Sequence, residues 1–308
     1  MKISSRQYVS IPHFLPSSLR SSSVAGVAPA FRLDFSAFSS SFRIPASSFI
    51  SHGVLKNSNT LEEFKAEDKV QFLAANAEEA WRLIVDGGIF EETSRLNRFV
   101  VSTFADLKKY HYYYWFAFAA FAEPKDVRER EPASSLDAVL SESQREALVD
   151  AVDCFADEHA DNAFFVLRVR GAGEEAPLAV ERLTPDFAAT ASSGGPDERC
   201  FLCFADPSSF ESHPGWPLRN LLTLYAVHFA SAMPEVDVIC YRDVRKDGAR
   251  SADTSLVLRL HVPPIVDTDG ESEPRRSYMM QVLYFIIKGE VDGCSCFRTV
   301  LLVIFTSH

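Results

Sequence analysis

The chain has 308 residues, 47% hydrophobic and 24% charged, the balance of a soluble globular protein long enough to bury a substantial core. Its net charge is −11, and the first 60 residues carry six bases against one acid, so the remainder stands at −16. An acidic body argues against general nucleic-acid binding, which rests on Lys and Arg, and suits a basic protein partner. No apolar run reaches the roughly 20 residues of a membrane-spanning helix. Six cysteines (Cys154, Cys200, Cys203, Cys240, Cys294 and Cys296) at irregular spacing fit a reducing compartment.

Residues 1–54 are Ser-rich and are expected to be partly disordered, with loops and one strand nearby. Within them, 1–33 contain no acid, a composition that also fits an organelle transit peptide. A helix is predicted over 60–88. Thr60 and Glu63 have capping-box spacing, Val70, Leu73, Ala77, Ala80, Trp81 and Ile84 recur with the helical period, and Gly87-Gly88 stops the helix.

Then comes "FADLKKYHYYYWFAF" (104–118), rich in rings and read as strand, turn, strand. Its aromatics occupy both parities, so both faces are apolar. That describes a central strand covered on both sides, with the rings in a core. A stacking platform for single-stranded nucleic acid would need more positive charge than Lys108-Lys109 provides.

A second helix, 141–159, opens with the capping box Ser141/Gln144 and carries Leu148, Val152 and Phe155. Strands are predicted at 164–169, 199–205, 236–243 and 255–262, with loops at "GAGEEAP" and "TASSGGPDE". Pro217 sits where a first helical residue would, and Leu218, Leu221, Leu222, Tyr225 and Phe229 form that helix's apolar face, with Pro234 as its end. The fold class is α+β, a mixed sheet with packed helices.

Catalytic and cofactor candidates are absent from this reading. Cys200 and Cys203 alternate to opposite faces of a strand and cannot converge on a metal. Cys154 sits between acids and Cys240 in an apolar strand, so neither has the positive surroundings of a nucleophilic thiolate. "GAGEEAP" precedes no helix and is no phosphate loop.

The strings "NTLEEFKAEDK" (59–69), "LNRFVVSTFADLKKYHYYYWFAFAAF" (96–121), "FADPSSFESHPGWPLRNLL" (204–222) and "VICYRDVRKDGAR" (238–250) resemble the amino-terminal domain of autophagy-related protein 7, the ubiquitin-like modifier-activating enzyme of autophagy. The resemblance covers about 55–265. It implies a recruiting domain for the conjugating enzymes, autophagy-related proteins 3 and 10, over residues 55–266. The full-length family uses ATP and Mg²⁺ to activate the modifiers, autophagy-related proteins 8 and 12. It dimerises through a carboxyl-terminal domain that also holds the catalytic cysteine, and it is cytoplasmic. No catalytic, cofactor or metal residue carries over, and the dimerisation region is expected to be absent. The alternative is a non-enzymatic regulator that sequesters conjugating enzymes. Trp216, Arg219 and Asn220 are candidates for a structural or partner-binding role. Residues 267–308, an acidic loop and a divergent apolar tail, are expected to be foreign to the domain, an artefact of the gene model.

Overall fold

The computed structural model describes residues 49–265 except 110, 172, 209–210 and 247–248, together with the strands at 283–290 and 298–304. Along the chain run strand β1 (Gly53–Asn57), helices α1 (Leu61–Ala66) and α2 (Lys69–Asp86), and strands β2 (Phe99–Asp106), β3 (His111–Phe118) and β4 (Arg128–Ser135). Helix α3 (Glu142–Glu158), strands β5 (Phe164–Arg170) and β6 (Leu178–Arg182), helix α4 (Phe187–Ser192), strand β7 (Glu198–Ala205) and helix α5 (Pro217–His228) follow. Strands β8 (Glu235–Tyr241), β9 (Val244–Lys246), β10 (Ala249–Ser251), β11 (Leu256–His261), β12 (Leu283–Glu290) and β13 (Arg298–Ile304) complete it. The fold is α+β, as the sequence predicts.

Two sheets organise the molecule. One has five strands in the order β1-β2-β3-β12-β13, the other six in the order β4-β11-β8-β7-β5-β6. In the six-stranded sheet, alternation along β5 sends Phe164 and Val166 to one face and Phe165, Leu167 and Val169 to the other. Leu221, Tyr225 and Phe229 of α5 cover the first face; Leu148, Val152 and Phe155 of α3 cover the second. The inner strands β5, β7 and β8 are apolar on both sides because helices lie over both.

α3 begins as predicted. The Ser141 hydroxyl accepts from the Gln144 N–H and the Gln144 side chain accepts from the Ser141 N–H. The predicted 60–88 helix is instead two. Glu67 turns extended, and Asp68 starts α2 by accepting from the Gln71 N–H at 2.9 Å. Thr60 does accept from the Glu63 N–H, but the Glu63 carboxylate takes the N–H of Asn59, one residue earlier than a capping box requires. Val70, in the first turn of α2, is 44% exposed, and Leu73, Ala77, Ala80 and Ile84 form the buried apolar stripe. Gly87 ends α2 in the left-handed region, φ 79°. α5 ends at His228, six residues before Pro234.

The aromatic run forms the predicted strand, turn and strand, with β2 and β3 paired from Phe99↔Phe118 to Asp106↔His111. Trp115 and Ala117 pack under α2 with Leu73, Ala77 and Val100; Phe118 is buried on the opposite face. This strand is central to its own sheet. Among the described residues the largest buried cluster lies on the six-stranded sheet. Tyr110 lies outside the described residues. In the tail, β12 pairs with β3 and β13 with β12.

Candidate functional site

The strings "FADPSSFESHPGWPLRN" and "VICYRD" meet at one corner of the molecule. Asp206 follows β7 and Arg242 follows β8, two neighbouring parallel strands, so both side chains emerge at the same sheet end. They form a buried ion pair. Arg242 Nε and Nη2 both stand 2.9 Å from Asp206 Oδ2, and the two side chains are 4% and 0% exposed. Asp206 Oδ1 accepts from the backbone N–H groups of Ser208 and Gly215, each at 2.9 Å. Arg242 Nη2 also donates to the His213 carbonyl at 2.8 Å.

The pair therefore ties down the loop 206–216 from both ends. Burial pushes the Asp206 carboxyl up, against the pull of Arg242 and of the two backbone donors. Gly215 is required here, because a Cβ at that position would stand 2.4 Å from Asp206 Oδ1. The sequence reading missed Asp206, Arg242 and Gly215 as a set. The available signal was a charged residue directly after each of two apolar strand ends, Asp206 after β7 and Arg242 after β8.

The loop delivers Trp216 and Pro217 to the start of α5. Trp216 is half-buried, and its ring lies 4.2 Å from that of Phe118 on β3. One turn on, Asn220 is fully buried and uses its whole amide. Its Oδ1 accepts from the Phe121 N–H at 3.0 Å, and its Nδ2 donates to the carbonyls of Leu96 (2.7 Å) and Ala119 (2.8 Å). Those three partners flank β2 and β3, so Asn220 bolts the helix of one sheet onto the strands of the other. Arg219 lies between them in sequence and is exposed. Of the three candidates, Trp216 and Asn220 converge on the inter-sheet seam, and Arg219 faces out.

This corner consumes its polar groups internally, so it acts as a clamp. The thiols offer no nucleophile nearby. Burial pushes Cys200 up to about 11 and raises Cys203 and Cys240 well above the ordinary thiol range, which keeps them protonated at neutral pH. Cys200 faces the α5 core and Cys203 the α3 core, opposite sides of β7 as predicted. Cys154 is exposed on α3; Cys294 and Cys296 lie outside the described residues. The segment 171–177 leads into strand β6, not a helix, and among the described residues no group of three His, Cys, Asp or Glu could hold a metal ion.

Comparison with known proteins places the chain. A family model described as "Ubiquitin-like modifier-activating enzyme ATG7 N-terminus" matches residues 10–282, reaching beyond 55–265 on both sides. The ubiquitin-like modifier-activating enzyme ATG7 of Mus musculus is 35% identical over 241 residues, covering 78% of this chain and 34% of that protein. The Homo sapiens protein of that name is 34% identical over 239 residues, with 78% and 33% covered. The chain thus spans about a third of the length of these curated relatives. Among solved structures, the Kluyveromyces marxianus Atg7NTD–Atg10 complex contains a chain 20% identical, with TM-score 0.43, covering 80% of this chain and 78% of that one. On the strength of the sequence match over residues 10–282, the chain belongs to the ATG7 amino-terminal family of ubiquitin-like modifier-activating enzymes.

Proposed function

We propose that this chain is the recruiting domain of an autophagy modifier-activating enzyme, working in the cytoplasm and holding a conjugating enzyme, autophagy-related protein 10 or 3. The observation that carries the reading is the family match over residues 10–282. The partner is of the kind named with the Kluyveromyces domain, which is described in complex with Atg10. The corner supports the reading in a second way. Asp206 and Arg242 fix the loop that leads into α5, and Asn220 joins that helix to the strands of the other sheet, so the corner spends its polar groups inside the fold and offers a partner a preformed surface.

Activation of autophagy-related proteins 8 and 12 with ATP then belongs to the rest of such an enzyme. What this domain contributes is proximity. Holding the conjugating enzyme near the loaded thioester turns a two-body encounter into an intramolecular one. The test is calorimetric titration of the full chain with each purified conjugating enzyme. A Kd of about 1 μM or tighter for at least one is expected. Absence of heat and of any complex by gel filtration, for both enzymes, overturns the reading.

A further inference from the structure

The two edges of the six-stranded sheet are built differently. At one edge, β4 reads Arg128-Glu129-Arg130-Glu131-Pro132, and its pairing with β11 shifts register twice. Charge, a proline with no N–H and an irregular ladder are the devices that stop a strand from accepting another strand. β6, at the other edge, reads Leu-Ala-Val-Glu-Arg and pairs with β5 in unbroken register from Phe165↔Arg182 to Val169↔Leu178. It has neither the proline nor the irregular ladder, and its two charges are engaged within the fold, Glu181 with Arg168 and Arg170, and Arg182 with the carbonyls of Phe90 and Glu91.

The register fixes which groups point out. The Arg170 N–H donates to the Pro177 carbonyl at 2.9 Å, so that pair is hydrogen-bonded. Antiparallel pairs alternate, so Ala179 and Glu181 bond to β5 while Leu178, Val180 and Arg182 aim their N–H and C=O groups away from the sheet. Among the described residues no hydrogen bond reaches the outward backbone groups of Leu178 or Val180. The surroundings are acidic. Glu174 and Glu175 are exposed just before β6 and Asp186 just after it. α3, which packs over β6, exposes Glu142, Glu146 and Asp150 at four-residue spacing. Like charges at that spacing cost a helix a few tenths of a kcal/mol per pair. The nearby bases are occupied. Arg170 pairs with Glu181 at 2.8 Å, and Arg182 donates to the carbonyls of Phe90 and Glu91.

We infer that the β6 edge is a docking site for an extended, basic segment of a partner protein, which adds antiparallel to β6 as a seventh strand. Backbone bonds to Leu178 and Val180 give the affinity, and the acidic rim selects Lys or Arg side chains. This site goes beyond the recruiting function proposed above and does not rest on it.

The probe is a fluorescein-labelled, end-capped octapeptide alternating lysine and valine, titrated into the full chain by anisotropy. It is expected to bind with a Kd near or below roughly 100 μM. Replacing its lysines by glutamate should abolish binding. Val180→Pro removes an N–H that the fold does not use, so the circular dichroism should persist while the peptide affinity falls at least about tenfold. If that variant does not fold, the same octapeptide with its partner-facing amides N-methylated serves instead and should lose affinity equally. No binding of the parent peptide overturns the proposal. Binding undiminished by both Val180→Pro and N-methylation reduces it to non-specific charge attraction and overturns it too. A concentration-dependent dimer that excludes the peptide and vanishes in Val180→Pro would assign the edge to a second copy of this chain.

Discussion

The two sheets show two ways of being central. In the six-stranded sheet, β5, β7 and β8 are sandwiched between α3 and α5, and both faces are filled by aliphatic and Phe side chains. In the five-stranded sheet, β3 is central by strand order, but its described core of Leu73, Ala77, Val100, Trp115, Ala117 and Ala119 is the smallest of the three clusters. The two sheets are joined at the corner at the head of α5, where Trp216 and Asn220 reach across, and also by Thr93 and Ser94, which hydrogen-bond to Phe164 and Ala163 at the start of β5.

Substitutions at the corner should separate the two regions in graded steps. The largest effect is expected for Asp206→Asn, which strands the buried Arg242 charge. A loss of about 3–5 kcal/mol, read from urea unfolding, is predicted. Asn220→Ala leaves one donor and two acceptors buried without partners, and about 2–4 kcal/mol should go, mostly from the seam. Gly215→Ala drives a methyl into Asp206 Oδ1, for about 1–3 kcal/mol. Cys154→Ser, on the exposed side of α3, should change stability by less than about 0.5 kcal/mol and leave conjugating-enzyme binding intact.

Elements declared by local chemistry were legible in the sequence. α3 announced itself by its capping box, α5 by Pro217, and β7, β8 and β11 by short apolar runs between turn residues. The opposite facing of Cys200 and Cys203 followed from the period of a strand alone. Missed elements lacked such marks. β4 is a run of charges with a proline, and it forms because Arg130 and Glu131 pair across strands with Asp237, Glu235 and Arg259. α4 hides in the serine-rich stretch predicted as a loop; its Thr190 is held by Arg168 at 2.8 Å. β6 follows the predicted loop "GAGEEAP" directly, but its five residues, two of them charged, are too short a run to declare a strand.

The break at Glu67-Asp68 was hidden because the helical period continues across it, and only the Asp68 cap reveals it. At the site, Trp216 and Asn220 could be singled out from an unusual string, but their roles could not. Asn220's partners lie about 100 residues or more away in sequence, and Asp206 and Arg242 are separated by 36. Such pairings are set by topology, which a single sequence does not display.

The most direct test of the clamp is unfolding of the parent chain and of Asn220→Ala followed by two probes at once. Trp81 packs against the core of the six-stranded sheet, so both chains carry Trp81→Phe; the remaining tryptophans, Trp115 in the five-stranded sheet and Trp216 at the seam, then report that region by fluorescence, while far-ultraviolet circular dichroism reports the whole. The parent should give coincident transitions, and in Asn220→Ala the fluorescence transition should fall to lower urea than the dichroism. Coincident curves in the variant, with less than about 1 kcal/mol lost, would contradict the claim that Asn220 joins the two sheets into one cooperative domain.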